Sequence, residues 1–134
     1  MKVKIIDDET FILYIKKETF KYKEDKEELI EEIFDYLEKY YNIESSGFYF
    51  INLYKNDYYG MILEVNNVGE DFYSYKLNVE LQVIETDFYI EIDTPQKNSI
   101  IIDEKIYKKI DNIKDYESGE ILYDLKGKGK MVDI

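Results

Sequence analysis

Between residues 25 and 41 (DKEELIEEIFDYLEKYY) apolar side chains recur three and four positions apart: Leu29, Ile30, Ile33, Phe34, Leu37, Tyr40 and Tyr41. That spacing stacks them on one face of an α-helix. Glu27, Glu28, Glu31, Glu32, Asp35 and Glu38 fall between them, so the helix carries one apolar and one anionic side. Asp25 followed by Glu28 reads as a capping box with Asp in the Ser/Thr place. At the other end Asn42 suits a left-handed cap, with Ile43 folding back onto Leu37. Such a helix is about 25 Å long, close to the roughly 27 Å of an eight-residue strand. It is therefore expected to lie across a sheet.

The rest of the chain alternates with a shorter period and predicts strands in hairpins. Residues 2–6 and 11–16 flank the turn Asp7-Asp8-Glu9. Residues 48–55 and 58–65 are separated by Asn56-Asp57, a two-residue turn signal that pairs Leu53 with Gly60 and Ile51 with Ile62. In that register Phe48, Phe50, Tyr54, Tyr59, Met61, Leu63 and Val65 receive the helix. Tyr49, Ile51, Leu53, Tyr58 and Ile62 form the opposite face. A third hairpin is predicted from residues 77–85 and 88–93 about Thr86-Asp87. There Val79, Leu81 and Val83 share a face with Phe88, Ile90 and Ile92. Residues 66–76 read as a loop. Pro95 closes the hairpin unit, Ile100-Ile101-Ile102 reads as a short buried strand, and residues 120–125 read as the last one.

The fold class that follows is α+β: a mostly antiparallel sheet of about six or seven strands, built from hairpins, with the helix of residues 25–41 across one face. A short second helix is expected over residues 103–112, capped by Asp103, with Ile106, Ile110 and Ile113 on one side. The expected organisation is a single domain over residues 1–126, with a flexible or weakly docked tail over residues 127–134.

Charge and composition narrow the chemistry. The chain carries 30 acidic against 18 basic residues, a net charge of −12, and all of its basic residues are lysine. No cationic track exists for nucleic-acid phosphates or anionic lipid, so neither is an expected partner. A basic protein is. Histidine and cysteine are absent, which excludes histidine-assisted Ser and Cys nucleophiles, disulfides and the usual zinc ligand sets. No segment approaches the roughly 20 apolar residues of a membrane-spanning helix, and the N-terminus lacks the apolar core of a signal peptide, so the cytoplasm is the expected location. No cofactor is implied.

Three functional readings remain. The first is a non-enzymatic, acidic interaction protein of the cytoplasm that binds a basic protein partner, as an inhibitor, an immunity-type protein or an adaptor. Its docking surface would be the acidic helix face: Glu27, Glu28, Glu31, Glu32, Asp35, Tyr36 and Glu38. Tyrosine belongs in that set because it is enriched among interface residues that carry binding energy. The second is a carboxylate-based metal-binding or catalytic domain. In the third hairpin Glu80 would face Asp93, and Gln82 would face Glu91. Like charges across a strand pair call for a compensating cation, and oxygen-only ligands suit calcium or magnesium. The third is a structural homo-oligomer associating through Tyr49, Ile51, Leu53 and Ile62. The neighbouring tyrosines Tyr54, Tyr58 and Tyr59 are expected to pack a sheet edge.

Overall fold

In the computed structural model the amphipathic stretch is one helix, α1 (Lys26–Tyr41). The structure describes residues 2–19, 25–43, 47–69, 77–118, 121–123 and 130–131. The cap at each end of α1 sits where the sequence places it. Asp25 has extended backbone and its Oδ1 accepts the Glu27 N–H at 3.0 Å. Asn42 is left-handed at φ 59°, which lets the Ile43 N–H donate to the Leu37 carbonyl at 3.3 Å. The chain falls into two compact units, residues 1–84 and residues 85–134.

The first unit contains α1 and a five-stranded sheet. Its strands are β1 (Lys2–Ile5), β2 (Thr10–Lys16), β3 (Gly47–Asn56), β4 (Gly60–Gly69) and β5 (Leu77–Glu85), in spatial order β1-β2-β4-β3-β5. The β1–β2 hairpin forms about the expected turn, with Ile5 opposite Phe11 and Val3 opposite Leu13. From α1, Leu29, Ile30, Ile33, Phe34 and Leu37 are buried against Phe11, Leu13 and Ile15 of β2, Tyr49, Ile51 and Leu53 of β3, and Met61, Leu63 and Val65 of β4. The Phe34 and Tyr49 rings meet at 4.8 Å. Burying a side chain of this size contributes about 1.5–3 kcal/mol, so packing, rather than the helix's own acidic surface, holds α1 in place. The apolar face ends at Leu37. Tyr40 and Tyr41 stay exposed and cluster with Tyr36, at 4.6 and 6.2 Å between ring centres.

The second hairpin forms in a register different from the expected one. Asn56 pairs with Gly60, Leu53 with Leu63 and Ile51 with Val65, so the turn is Asp57-Tyr58-Tyr59. Asn56 Oδ1 accepts the Tyr58 N–H at 2.9 Å, and Lys55 Nζ lies 3.3 Å from the Asp57 carboxylate. This local bonding favours the longer turn, and a register moved by an odd number of residues exchanges the faces of β3 relative to β4. Tyr49, Ile51 and Leu53 therefore lie beneath α1, in place of the expected Phe48, Phe50 and Tyr54. Ile62 is buried on the opposite face, beside Tyr14 and Tyr54 in the pairing β2–β4–β3.

The third hairpin does not form. β5 is the terminal strand of the first sheet, beside β3, whereas the following strand belongs to the second unit. The predicted faces of β5 are nonetheless correct. Val79 and Leu81 pack against the core under α1, while Glu80 and Gln82 are exposed.

The second unit is a separate five-stranded sheet. Its strands are β6 (Tyr89–Ile92), β7 (Ile100–Ile102), β8 (Lys105–Lys109), β9 (Ile121–Leu122) and β10 (Lys130–Met131), in the order β10-β7-β8-β6-β9, with the short helix α2 (Ile113–Glu117) between β8 and β9 in sequence. Phe88, Ile110, Tyr116 and Ile121 are buried, with the Phe88 and Tyr116 rings stacked at 5.5 Å. The helix expected over residues 103–112 is instead a tight hairpin, and α2 begins only after it. Ile102 pairs with Lys105 across Asp103-Glu104, whose φ values of 48° and 68° are those of a type I′ turn. The strand at residues 100–102 is present but not wholly buried, since Ile101 is exposed.

The architecture is thus α+β with mostly antiparallel sheets, as the hairpin pattern implies, but with ten strands in two sheets among the described residues. Of the expected tail, Lys130 and Met131 pair with Ile101 and Ile100. Residues 127–129 and 132–134 lie outside the described residues, as do residues 20–24, 70–76, 120, 124 and 125 of the expected connectors and last strand.

Candidate protein-docking surface

All of Glu27, Glu28, Glu31, Glu32, Asp35, Tyr36 and Glu38 stand on α1, and the helix period sorts them into two ladders. Glu27, Glu31 and Asp35 are spaced four apart along one side and are exposed. Glu28, Glu32 and Tyr36 form the second ladder, continued by Tyr40. Glu32 and Tyr36 are half-buried, whereas Glu28 and Glu38 are exposed. Lys39 Nζ sits 5.2 Å over the Tyr40 ring, within the range of a cation–π contact. Each ladder thus places carboxylates one turn apart, where like charges repel by roughly 0.2–0.5 kcal/mol per pair.

The first ladder borders a groove of about 500 Å³ on the helix side of β5. Among the described residues its lining is Ile30, Val79 and Leu81, with Glu27 and Glu31 from the helix and Asn78 from the strand. The apolar lining continues the core outward. Val79 and Leu81 are only partly covered, and Val83, two residues on, is 44% exposed. Sequence reasoning places Glu27 and Glu31 on a surface but misses the groove, because the groove exists only once β5 is set beside β3. The alternation of residues 77–85 identifies the inward side chains and says nothing about the neighbouring strand.

The carboxylates of the second reading are not paired as expected. Glu80 stands on β5, whereas Glu91 stands on β6 and pairs across to Tyr107 of β8. With β5 and β6 in different sheets, the Glu80–Asp93 and Gln82–Glu91 pairs are not made. Among the described residues no group of three or more acidic side chains is gathered as a metal site. The self-association surface of the third reading also needs correction. Tyr49, Ile51 and Leu53 are buried beneath the chain's own helix, and Ile62 is fully buried on the other face. Tyr58 is exposed and its ring lies 6.4 Å from that of Tyr59, whereas Tyr54 is buried.

A different polar locality lies on the sheet face away from α1. Glu64 of β4 pairs laterally with Asn52 of β3 and Ile12 of β2, one rung from Tyr14. Among the described residues the buried Asn52 Oδ1 finds no hydrogen-bond partner. Burial, and secondarily the Glu64 carboxylate, push the Tyr14 phenol above its ordinary pKa. Thr10 Oγ1 donates to Asn66 Oδ1 at 2.9 Å on the next rung.

No described helix is long and apolar enough to cross a membrane. Comparison of the chain with protein-family models, curated proteins and solved structures finds no match.

Proposed function

We propose that this chain is a non-enzymatic interaction protein of the cytoplasm that receives a basic protein partner on the acidic face of α1, in an inhibitory, immunity-type or adaptor role. The observation that supports the reading is the coincidence of two features at one place. Exposed carboxylates at Glu27 and Glu31 stand one turn apart, and they line a groove together with Asn78 and the apolar side chains of Ile30, Val79 and Leu81. Carboxylates alone raise encounter rates and set partner choice, while apolar and aromatic contacts supply lasting affinity. Here both stand within one surface, with Tyr36 and Tyr40 farther along the same helix. The net charge of −12 adds a long-range attraction for a cation and repels nucleic acid and anionic lipid.

The test reverses Glu27, Glu28, Glu31 and Glu32 to lysine together, with circular dichroism confirming that the helix persists. Wild type and variant are used as bait at low and high salt. The reading expects basic proteins that bind wild type at low salt, are released by salt, and are missed by the variant. Capture of the same proteins by the folded variant would remove α1 as the docking surface.

A further inference from the structure

We propose that the first unit pairs weakly with a second copy of this chain through the side chains of β1 and of the turn that follows it. The contact uses no residue of α1, so it stands or falls independently of the acidic-face reading. Residues 2–9 read KVKIIDDE, with lysines on one side of two isoleucines and three acids on the other. At the centre of that run Ile5 and Ile6 are 64% and 50% exposed. Val3 packs toward the core under α1, so strand alternation turns Lys2 and Lys4 to the other face, and both are exposed. Asp7, Asp8 and Glu9 are exposed as well, with Asp7 Oδ1 accepting the Glu9 N–H at 2.8 Å to shape the turn. Among the described residues none of these lysines and acids takes part in an ion pair.

A two-fold axis at the isoleucines turns this asymmetry into complementarity. In such a contact one patch meets its own copy reversed, so the lysines of each chain face the acids of the other. The backbone advances at most about 3.6 Å per residue, which keeps Lys4 and Asp8 within about 15 Å of each other on either side of the isoleucines. Ile5 and Ile6 of the two copies then cover one another, and the ion pairs form a rim around that apolar centre. Side chains make this contact, since β1 has only four residues and edge lysines discourage continuous backbone pairing. A basic partner would satisfy the acids but set its charge against Lys2 and Lys4, and an acidic partner would do the reverse. A second copy answers both halves. The net charge of −12 on each copy opposes the approach, but at about 0.15 M salt the screening length is about 8 Å, so adjacent pairs attract while distant like charges are damped. The patch is well below the roughly 20–30 residues a side of a stable interface, so a dissociation constant of about 0.1–1 mM is expected.

The test exchanges the charges in two variants, Lys2→Glu/Lys4→Glu and Asp8→Lys/Glu9→Lys, leaving Asp7 and its turn bond in place. Circular dichroism checks that each is folded, and the single changes Lys4→Glu and Asp8→Lys replace a double variant that is not. Wild type at about 1 mM in about 0.15 M salt should scatter light with a mean mass well above the 16.2 kDa of one chain. Each variant alone should associate about tenfold more weakly, because like charges then face like. An equimolar mixture should recover the wild-type affinity to within about threefold as a heterodimer, although both variants remain net acidic. A wild type that stays at 16.2 kDa overturns the proposal. So does a variant that associates as strongly as wild type by itself, which places the contact elsewhere, or a mixture no more associated than its two components.

Discussion

Replacing Glu31 by glutamine should stabilise the first unit while weakening its hold on a cationic partner. Glu31 has Glu27 one turn before it and Asp35 one turn after it, and all three are exposed. Each like-charge pair at this spacing costs about 0.2–0.5 kcal/mol, so removing the middle charge relieves about 0.4–1 kcal/mol. Glutamine nearly matches glutamate in helix propensity and in size, which leaves the Ile30 packing below it unchanged. Position 31 also lies beyond the first turn, where the favourable interaction of a carboxylate with the helix dipole is concentrated. For a unit of this size about 1 kcal/mol raises the melting temperature by about 4–8 °C, so a gain of about 2–8 °C is expected by far-ultraviolet circular dichroism. Salt supplies the control. At about 1 M the screening length falls to about 3 Å, shorter than the separation of the carboxylates, and wild type and variant should converge. A variant that melts below wild type at low salt would mean that the Glu31 carboxylate is held by a stabilising partner within the chain. The acidic ladder would then belong to the fold rather than to a surface kept for something else.

Three further substitutions test other parts of the structure. Gly60 has φ 142°, and a Cβ there would collide with the Ile15 carbonyl and approach the Lys17 nitrogen to 3.0 Å; Gly60→Ala should cost about 3 kcal/mol or more by chemical denaturation, and a near-neutral result would contradict the β2–β4 register. Asp103→Asn with Glu104→Gly installs the residues that a type I′ turn favours, relieving left-handed backbone at about 1 kcal/mol or more; a lower melting temperature would argue against the β7–β8 hairpin. The raised pKa of Tyr14 means that the folded chain keeps its proton at a pH where the unfolded chain releases it. Its contribution is therefore intact below the unfolded value of 10.0 and is lost as pH climbs through the folded one. Tyr14→Phe should flatten the alkaline fall in stability above pH 10.0, measured by urea denaturation across pH, and an unchanged slope would show that Tyr14 does not titrate on unfolding.

The elements that the sequence reveals are those decided by their own residues. The helix is legible because spacing, an N-terminal Asp and a C-terminal Asn agree, and α1 has the expected caps. The inward side chains of β5 are legible because strict alternation leaves one choice. What is illegible is decided between segments. Asn56-Asp57 looks like the centre of a two-residue turn. The side-chain bond from Tyr58 N–H to Asn56 Oδ1 instead makes Asn56 the opening residue of a longer one, and that difference exchanges the faces of β3. Asp103-Glu104 lacks the glycine that usually marks a type I′ turn, so isoleucines spaced along a hairpin resemble those of a helix. Nor does anything in residues 77–93 record that the strands before and after Thr86 join different sheets. For the candidate site the consequence is specific. Its charges could be read from α1 alone, whereas its apolar floor depended on strand order.

A ladder of carboxylates is an unusual way to finish a helix whose apolar face is already well buried. The mutual repulsion of Glu27, Glu31 and Asp35 works against α1, although Glu27, in the first turn, also suits the positive end of the helix dipole; lysine at position 31 would form favourable pairs with both remaining acids. The helix tolerates the arrangement because Leu29, Ile30, Ile33, Phe34 and Leu37 are locked into the sheet, so a repulsion of about 1 kcal/mol in total is small beside the burial that opposes it. That tolerance has a physical use under the proposed function. A cation arriving beside Glu27 and Glu31 gains its attraction to both and also relieves their mutual repulsion, and the helix need not reorganise to offer it. The rigid core and the charged ladder are then complementary. Packing fixes the carboxylates next to the β5 groove before any partner arrives, and that fixed geometry lets modest surface charges discriminate between partners.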